Sequence, residues 1–342
     1  MLELSDNYSD EDLYALSGGD PLGVLSSTRA AVEQGEAAWI NLEQVERLSD
    51  RWAQEAALQN SLPTWDTRYH FYDGTERTVN WLLLLDALNF CFWAEKGQPR
   101  WTVEYQGETL NGYWAEAAAL KRAVEEGLPL WDAEYLSTIS ADTLTHIFRG
   151  SGTIPLFEQR VTNAREVGRV LLARYQGQFV HAIEEAEYSA VKLALLLVRD
   201  FPSFNDVASY HAREIKFYKR AQILVADIHS AFTGQKWGAF ADLNALTIFA
   251  DYKLPQVLRH YNVISYYTTL AQRIDNQELL PAGCTEEVEI RAVTIWACEL
   301  LRRAMQRRGH PLHTAEIDQK LWLAGQQSSE MRPYHRTRTI FY

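Results

Sequence analysis

Apolar residues recur at helical spacing through most of this chain, and the places where the spacing fails mark its turns. Ile215, Tyr218, Val225, Ile228 and Phe232 share one face, with Gln222 the exception, which predicts a helix over 215–232. Leu243, Leu246 and Ala250 predict the next helix, ending near Asp251. Pro255 disfavours helical geometry at Leu254 and suits the first turn of a further helix. Glu286–Gln306 and Thr314–Leu323 complete the C-terminal helices. Ser140 before Ala141-Asp142-Thr143 reads as an N-cap, and Asn163 with Glu166 as a capping box ahead of Val167, Val170 and Leu171. From Asp50 to about Arg100 the pattern is a helix, a turn-rich stretch and an apolar run. Thr102–Leu110 alternates like a strand pair around Gly107, with Tyr69–Tyr72 a candidate addition. The predicted class is mainly α, a helical bundle with a small β-hairpin in the N-terminal half. GSGTIP, Gly150–Pro155, is the expected divide between a lobe over 1–150 and a helical lobe over 151–342, with one continuous domain as the alternative.

Composition narrows the function. The 342 residues are 47% hydrophobic and 23% charged, enough for a large core and unlike a disordered chain. A net charge of -12 argues against a duplex nucleic-acid groove, which draws on phosphate neutralisation, but leaves room for a local basic cluster on a small phosphorylated ligand. Three scattered cysteines and no HExxH spacing predict neither a disulfide framework nor a zinc site. The acidic start MLELSDNYSDEDLY is unlike a signal peptide. The longest apolar run, Trp81–Trp93, is too short to cross a bilayer and contains Asp86 and Asn89. A cytoplasmic protein without membrane contact is expected.

Four blocks carry polar groups inside core-like sequence. In HFYDG, His70–Gly74, with LDALNFCFW through Asp86 to Trp93, either a satisfied Asn and Asp sit in a buried helix or Phe90 and Trp93 stack a planar base while Asn89 or His70 hydrogen-bonds it. KFYKRAQILVADIH, Lys216–His229, clusters Lys216, Lys219 and Arg220. These form a solvated face, or Lys219, one turn beyond Ile215, reaches into a cleft. In DLNALTIFADYKLPQVL, Asp242–Leu258, Asp251 is expected at a helix C-terminus, where the dipole is unfavourable to an anion. It must then be held by a partner such as Lys219, by the start of the next helix, or by function, and a raised pKa is favoured; a structural ion pair is the alternative. The tail MRPYHRTRTIFY is too aromatic for a disordered end and should dock back, presenting Arg332, Arg336, Arg338 and His335 as a phosphate clamp.

Together LDALNFCFW, FYKRAQILVADIH, LTIFADYKLPQVL, EVEIRA (Glu287–Ala292) and YHRTRTIFY resemble the queuosine salvage protein family, the queuosine 5′-phosphate N-glycosylases/hydrolases, from roughly His70 to Tyr342. The resemblance implies a helical fold similar to helix-hairpin-helix DNA glycosylases and release of queuine from queuosine 5′-monophosphate. LPQV, Leu254–Val257, is similar to their hairpin but lacks its glycines, so a DNA-binding hairpin is not expected. The family pattern makes Asp251 the catalytic carboxylate, places Phe249 and His70 at the base and points Asp318, within IDQKLW, at the polar groups of queuine.

The chemistry then constrains the mechanism. Queuine is a 7-deazaguanine, so protonation at N7 is closed and catalysis must stabilise positive charge at C1′ and place water. Asp251 would act as electrostatic stabiliser, nucleophile or base, and Lys219 would steady Asp251 or the phosphate. Asp242 is the reserve carboxylate. The candidate substrate-binding set is His70, Asn89, Phe90, Trp93, Phe249, Tyr252, Asp318, Trp322, Arg336 and Arg338. No metal or redox cofactor is expected, the partner is a small nucleotide, and a monomer is the expected state. A non-catalytic helical module that binds modified nucleotides or tRNA is the competing reading.

Overall fold

The computed structural model describes residues 13–16, 19–56, 65–327 and 330–342. It is mainly helical, with three antiparallel strand pairs among the described residues where one hairpin was expected. The chain divides into two compact units, each assembled from separated stretches. The first comprises Met1–Leu62, Val207–Phe217 and Asn244–Arg338; the second comprises Pro63–Asp206, Tyr218–Leu243 and Thr339–Tyr342. The stretch Gly150–Pro155 thus lies inside the second unit.

The first unit is built around the helix Thr285–Arg307, which is buried on nearly every face from Glu287 to Met305, the pattern of a helix enclosed by neighbours. The helices Val24–Glu33 and Leu42–Ala56 pack on it, and its Trp296 Nε1 donates to Thr28 Oγ1 at 3.1 Å. Ala38–Ile40 pairs with Ile264–Tyr266 in antiparallel register, Trp39 opposite Ser265. The helices Lys253–His260 and Thr314–Gln327 pack together. LPQV lies within the first of these, so it is helix rather than hairpin.

The second unit is organised by Glu76–Leu88, in which every residue from Thr78 to Leu88 is buried. Phe157–Arg174 and Lys219–Ala231 pack against it. Gly168 allows a close helix approach: a Cβ there would stand 2.2 Å from Ser137 N and 2.5 Å from Ala133 O. The expected hairpin forms, Thr102–Tyr105 with Glu108–Asn111, turning through Gln106 and Gly107 at φ 50° and 83°. Tyr69 does not join it as a strand but donates its hydroxyl to Glu108 Oε2 at 2.6 Å. Ser140 caps its helix as predicted, accepting from Thr143 N.

Three boundary predictions are corrected. The helix expected from Ile215 starts at Lys219, because Arg213–Lys216 pairs with Val207–Tyr210 and Tyr218 turns the chain at φ 51°. Asn163 caps nothing: Phe157–Arg174 runs straight through it, and its Nδ2 donates to Ala87 O at 2.9 Å in the core. The helix expected over 243–250 does not form; a single 3-10 turn, Leu243–Ala245, is followed by irregular chain up to Asp251. Asp251 therefore lies at the start of Lys253–His260 and not at a helix end.

Candidate active site

That correction reverses the electrostatics. Asp251 Oδ1 accepts from Lys253 N at 2.7 Å and Leu254 N at 2.9 Å, the first amides of the helix. Those amides have no intrahelical acceptor, and the positive end of the dipole favours a carboxylate. The start of the next helix is thus one holder of Asp251, and it favours the charged carboxylate, the opposite of what a helix C-terminus would do.

The irregular stretch before Asp251 is tied down by side chains in place of ladder hydrogen bonds. Thr314 Oγ1 donates to Leu246 O at 2.8 Å, Asp318 Oδ2 accepts from Phe249 N at 3.2 Å, and Arg291 Nε donates to Ala250 O at 3.1 Å. Phe249 and Tyr252 are buried, while Asp251 and Asp318 keep partial exposure. The first unit thus brings Phe249, Asp251, Tyr252 and Asp318 into one neighbourhood. Trp322, half-buried, follows Asp318 by one helical turn and shares its face.

The tail docks, as its aromatic content predicted. Leu280 N donates to Arg336 O at 2.8 Å, and the Tyr334 ring lies 4.8 Å from that of Tyr252. Arg336 Nη2 donates to Gln277 Oε1 at 2.7 Å, and Arg338 is exposed. His335 is fully buried, and burial first, then the Arg291 charge, pushes its imidazole down to about 3. It is neutral and adds no charge to a phosphate clamp.

The second unit holds the remaining candidates, with Lys219 and Asn89 beside buried ionic groups. Lys219 is buried, not solvated, at the start of its helix, where its backbone N donates to Asp206 Oδ2 at 3.3 Å. Asp86 is fully buried with its Oδ1 3.4 Å from Asn89 Nδ2 and its Oδ2 without a hydrogen-bond partner. Burial raises Asp86 to about 7 against the opposing charge of Lys219. Glu116 lies 3.1 Å from Arg160 Nη1, yet burial outweighs that cation and lifts the carboxyl to about 8.

Phe90 offers no open stacking face. The Arg160 and Arg220 guanidinium carbons stand 4.3 and 5.2 Å from its ring centroid, and the residue is buried. Trp93 is buried too. His70 is enclosed by Trp65, Trp81, Tyr113 and Trp114. Its Nδ1 faces the Asp66 carbonyl at 2.7 Å and so must donate, leaving Nε2 to accept from the Tyr113 hydroxyl at 2.8 Å. Burial depresses its pKa to about 4, so it is neutral at physiological pH.

Arg160, Glu116 and Arg291 were missed by sequence reasoning, and Arg220, read as part of a solvated face, is buried. Glu116 had a weak signal, as an acid flanked by alanines in a helix; Arg291 sat inside the recognised EVEIRA block without an assigned task. Asp242 loses its reserve role, because it accepts from Ser189 Oγ at 2.6 Å and Ala190 N at 2.5 Å and anchors the helix Ala190–Asp200. Among the described residues, no group of three or more His, Cys, Asp or Glu is placed to hold a metal ion, and no helix is long and apolar enough to cross a membrane.

A family model described as queuosine salvage protein matches residues 69–342, the span that holds every candidate above. The chain belongs to the queuosine salvage protein family. A queuosine 5′-phosphate N-glycosylase/hydrolase from Sphaerobacter thermophilus is 50% identical over 325 residues, 95% of this chain and 99% of that protein. A mouse protein of the same name is 35% identical over 338 residues, covering 95% and 100%. One from Schizosaccharomyces pombe is 33% identical over 310 residues, covering 87% of each. Within this family member, Asp318 is tied to the irregular segment at Phe249, Asp251 caps the helix that follows it, and Lys219 and Arg220 both act on Asp86.

Proposed function

We propose that this family member hydrolyses the N-glycosidic bond of queuosine 5′-phosphate and releases queuine, with Asp251 as the catalytic carboxylate. The supporting observation is the fixed aim of Asp251: one oxygen is locked on two helix amides, so the carboxylate is preorganised before substrate arrives. The base cannot be protonated at N7, so the C1′–N bond must break with positive charge building on the sugar. A carboxylate that is already oriented stabilises that charge without reorganising at the moment of bond cleavage.

Asp318 receives the cationic amine and diol of the queuine side chain, while its Oδ2 contact with Phe249 N keeps the base-side segment in register. Arg336 and Arg338 supply charge to the phosphate from the tail. Water is the co-reactant, and the enzyme acts as a cytoplasmic monomer on a small-molecule substrate.

The test is direct. Incubation with queuosine 5′-phosphate should release free queuine, and Asp251→Asn should lower kcat by roughly 10³-fold while KM stays within a few-fold, the sign of an interaction made mainly in the transition state. Near-normal kcat in that variant would remove Asp251 from the mechanism. Asp318→Ala should bind queuine poorly and 7-deazaguanine about as well as the parent protein, since the latter lacks the amine and diol. A parallel loss for both bases would show that Asp318 does not read the side chain.

A further inference from the structure

We propose that Arg291 is a positioning residue that aims Asp251 through the Ala250 carbonyl; the proposal rests on Asp251 being the catalytic carboxylate. It gives the EVEIRA block a task in the reaction. Three charged residues of that block, Glu287, Glu289 and Arg291, are buried in the middle of the core helix. Each reaches a different segment. Glu287 Oε2 accepts from Gly283 N at 3.0 Å, and Glu289 accepts from Ala37 N at 2.6 Å and Tyr210 Oη at 3.0 Å. Arg291 alone among them donates to the segment that carries Asp251, through Nε to Ala250 O at 3.1 Å.

The guanidinium is itself held firmly. Its carbon stands 3.8 Å from the Phe217 ring centroid, and Nη1 lies 3.7 Å from Glu287 Oε1 one turn earlier on the same helix. A planar group stacked on a ring and flanked by a carboxylate points its Nε–H in one direction. Ala250 C=O and Asp251 N–H belong to one rigid peptide plane. Fixing that carbonyl fixes where the Asp251 backbone begins, and the helix amides fix the carboxylate on the other side. Between them lie the torsions of Asp251 itself. No strand or helix ladder restrains 246–250; Thr314 and Asp318 hold Leu246 and Phe249, and Arg291 holds the peptide next to Asp251.

A displacement of about 1 Å at a reacting group can reduce the rate on the order of 100-fold. Arg291→Lys keeps the charge but loses the planar fork and the Nε–H, so kcat with queuosine 5′-phosphate should fall about 100-fold, with KM and the Kd for queuine within about 3-fold. Glu289→Gln is the control from the same block: it should lower Tm while leaving kcat per folded molecule unchanged. Ala250→Gly, which loosens the same peptide with Arg291 intact, should lower kcat about 10-fold and serves where Arg291→Lys does not fold.

Normal kcat in folded Arg291→Lys, or in Ala250→Gly where the lysine variant does not fold, overturns the proposal. So does a loss of kcat in Glu289→Gln equal to that in Arg291→Lys, since that pattern reports general softening of the core. Asp251→Asn is measured alongside. If it stays active, the reading of Asp251 is what fails; if it is dead while Arg291→Lys is normal, only the positioning role fails.

Discussion

Two helix ends in this protein solve opposite problems with opposite charges. The helix Lys253–His260 begins with unsatisfied amides, and Asp251 meets two of them with one carboxylate oxygen. The helix Glu76–Leu88 ends with unsatisfied carbonyls, and there two buried guanidiniums take over. Arg220 donates to Asp86 O at 3.0 Å and to Ala87 O, while Arg160 donates to Leu88 O, Phe90 O and Cys91 O. At the amide end the charge is partly exposed and can face a ligand; at the carbonyl end it is sealed in. The comparison teaches that helix polarity sorts these residues by sign, while exposure sorts them by whether they can do chemistry.

The strongest way to break this contrast is Arg160→Met. It leaves the Leu88 and Phe90 carbonyls and Glu116 without their buried donor, and unfolding in urea should show a loss of about 3–5 kcal/mol. A loss below about 1 kcal/mol would mean that the carbonyl end does not depend on its cations. At the amide end the effect should be smaller and sensitive to side-chain shape. Asp251→Ala should destabilise by about 1 kcal/mol through loss of the capping oxygen, whereas Asp251→Asn, which keeps an acceptor, should stay within a few tenths. Equal destabilisation by both would show that charge, and not the hydrogen bond, holds that turn.

The smallest effect sharpens the buried side of the comparison. Glu116, lifted by burial to about 8, is protonated in the folded protein at pH 4, where the unfolded chain also carries it largely protonated. Glu116→Gln should therefore change stability by less than about 1 kcal/mol there. A carboxyl whose folded pKa exceeds its unfolded value contributes stability that is complete below the unfolded pKa of about 4.5 and is lost as pH rises through about 8. The glutamine variant lacks that loss, so at pH 9 it should unfold at a higher temperature than the parent protein. The reverse order at pH 9 would show that Glu116 is folded as an anion paired with Arg160.

Local patterns were legible where local physics decides them. The Ser140 cap, the Gly107 hairpin and the long Thr285–Arg307 helix all follow from residues within a few positions of one another. The misreadings share a cause: the deciding partner was distant in sequence or lay in the backbone. Lys216 joined a strand because Val207 lies opposite it, and Asn163 continued a helix because Ala87 O takes its amide. Asp251 and Asp318 were assigned their roles only through the family resemblance; the start of the next helix was among the expected holders of Asp251, whereas the helix expected before it did not form. Arg160, Arg220 and Arg291 were illegible as buried residues, since a lone arginine on a helix is ordinarily solvated and only the carbonyls it meets reveal otherwise.

The interleaving of the two compact units also has a timetable. The Ala37 amide finds its acceptor on Glu289, 252 residues later. At a synthesis rate of about 5–20 residues per second, that partner follows by roughly 10–50 s. Ala38–Ile40 waits about as long for Ile264–Tyr266, with its edge open to other strands meanwhile. The stretch Pro63–Asp206 can gather most of the second unit during that interval, so the nascent chain should condense from its middle outward, with the first unit closing last.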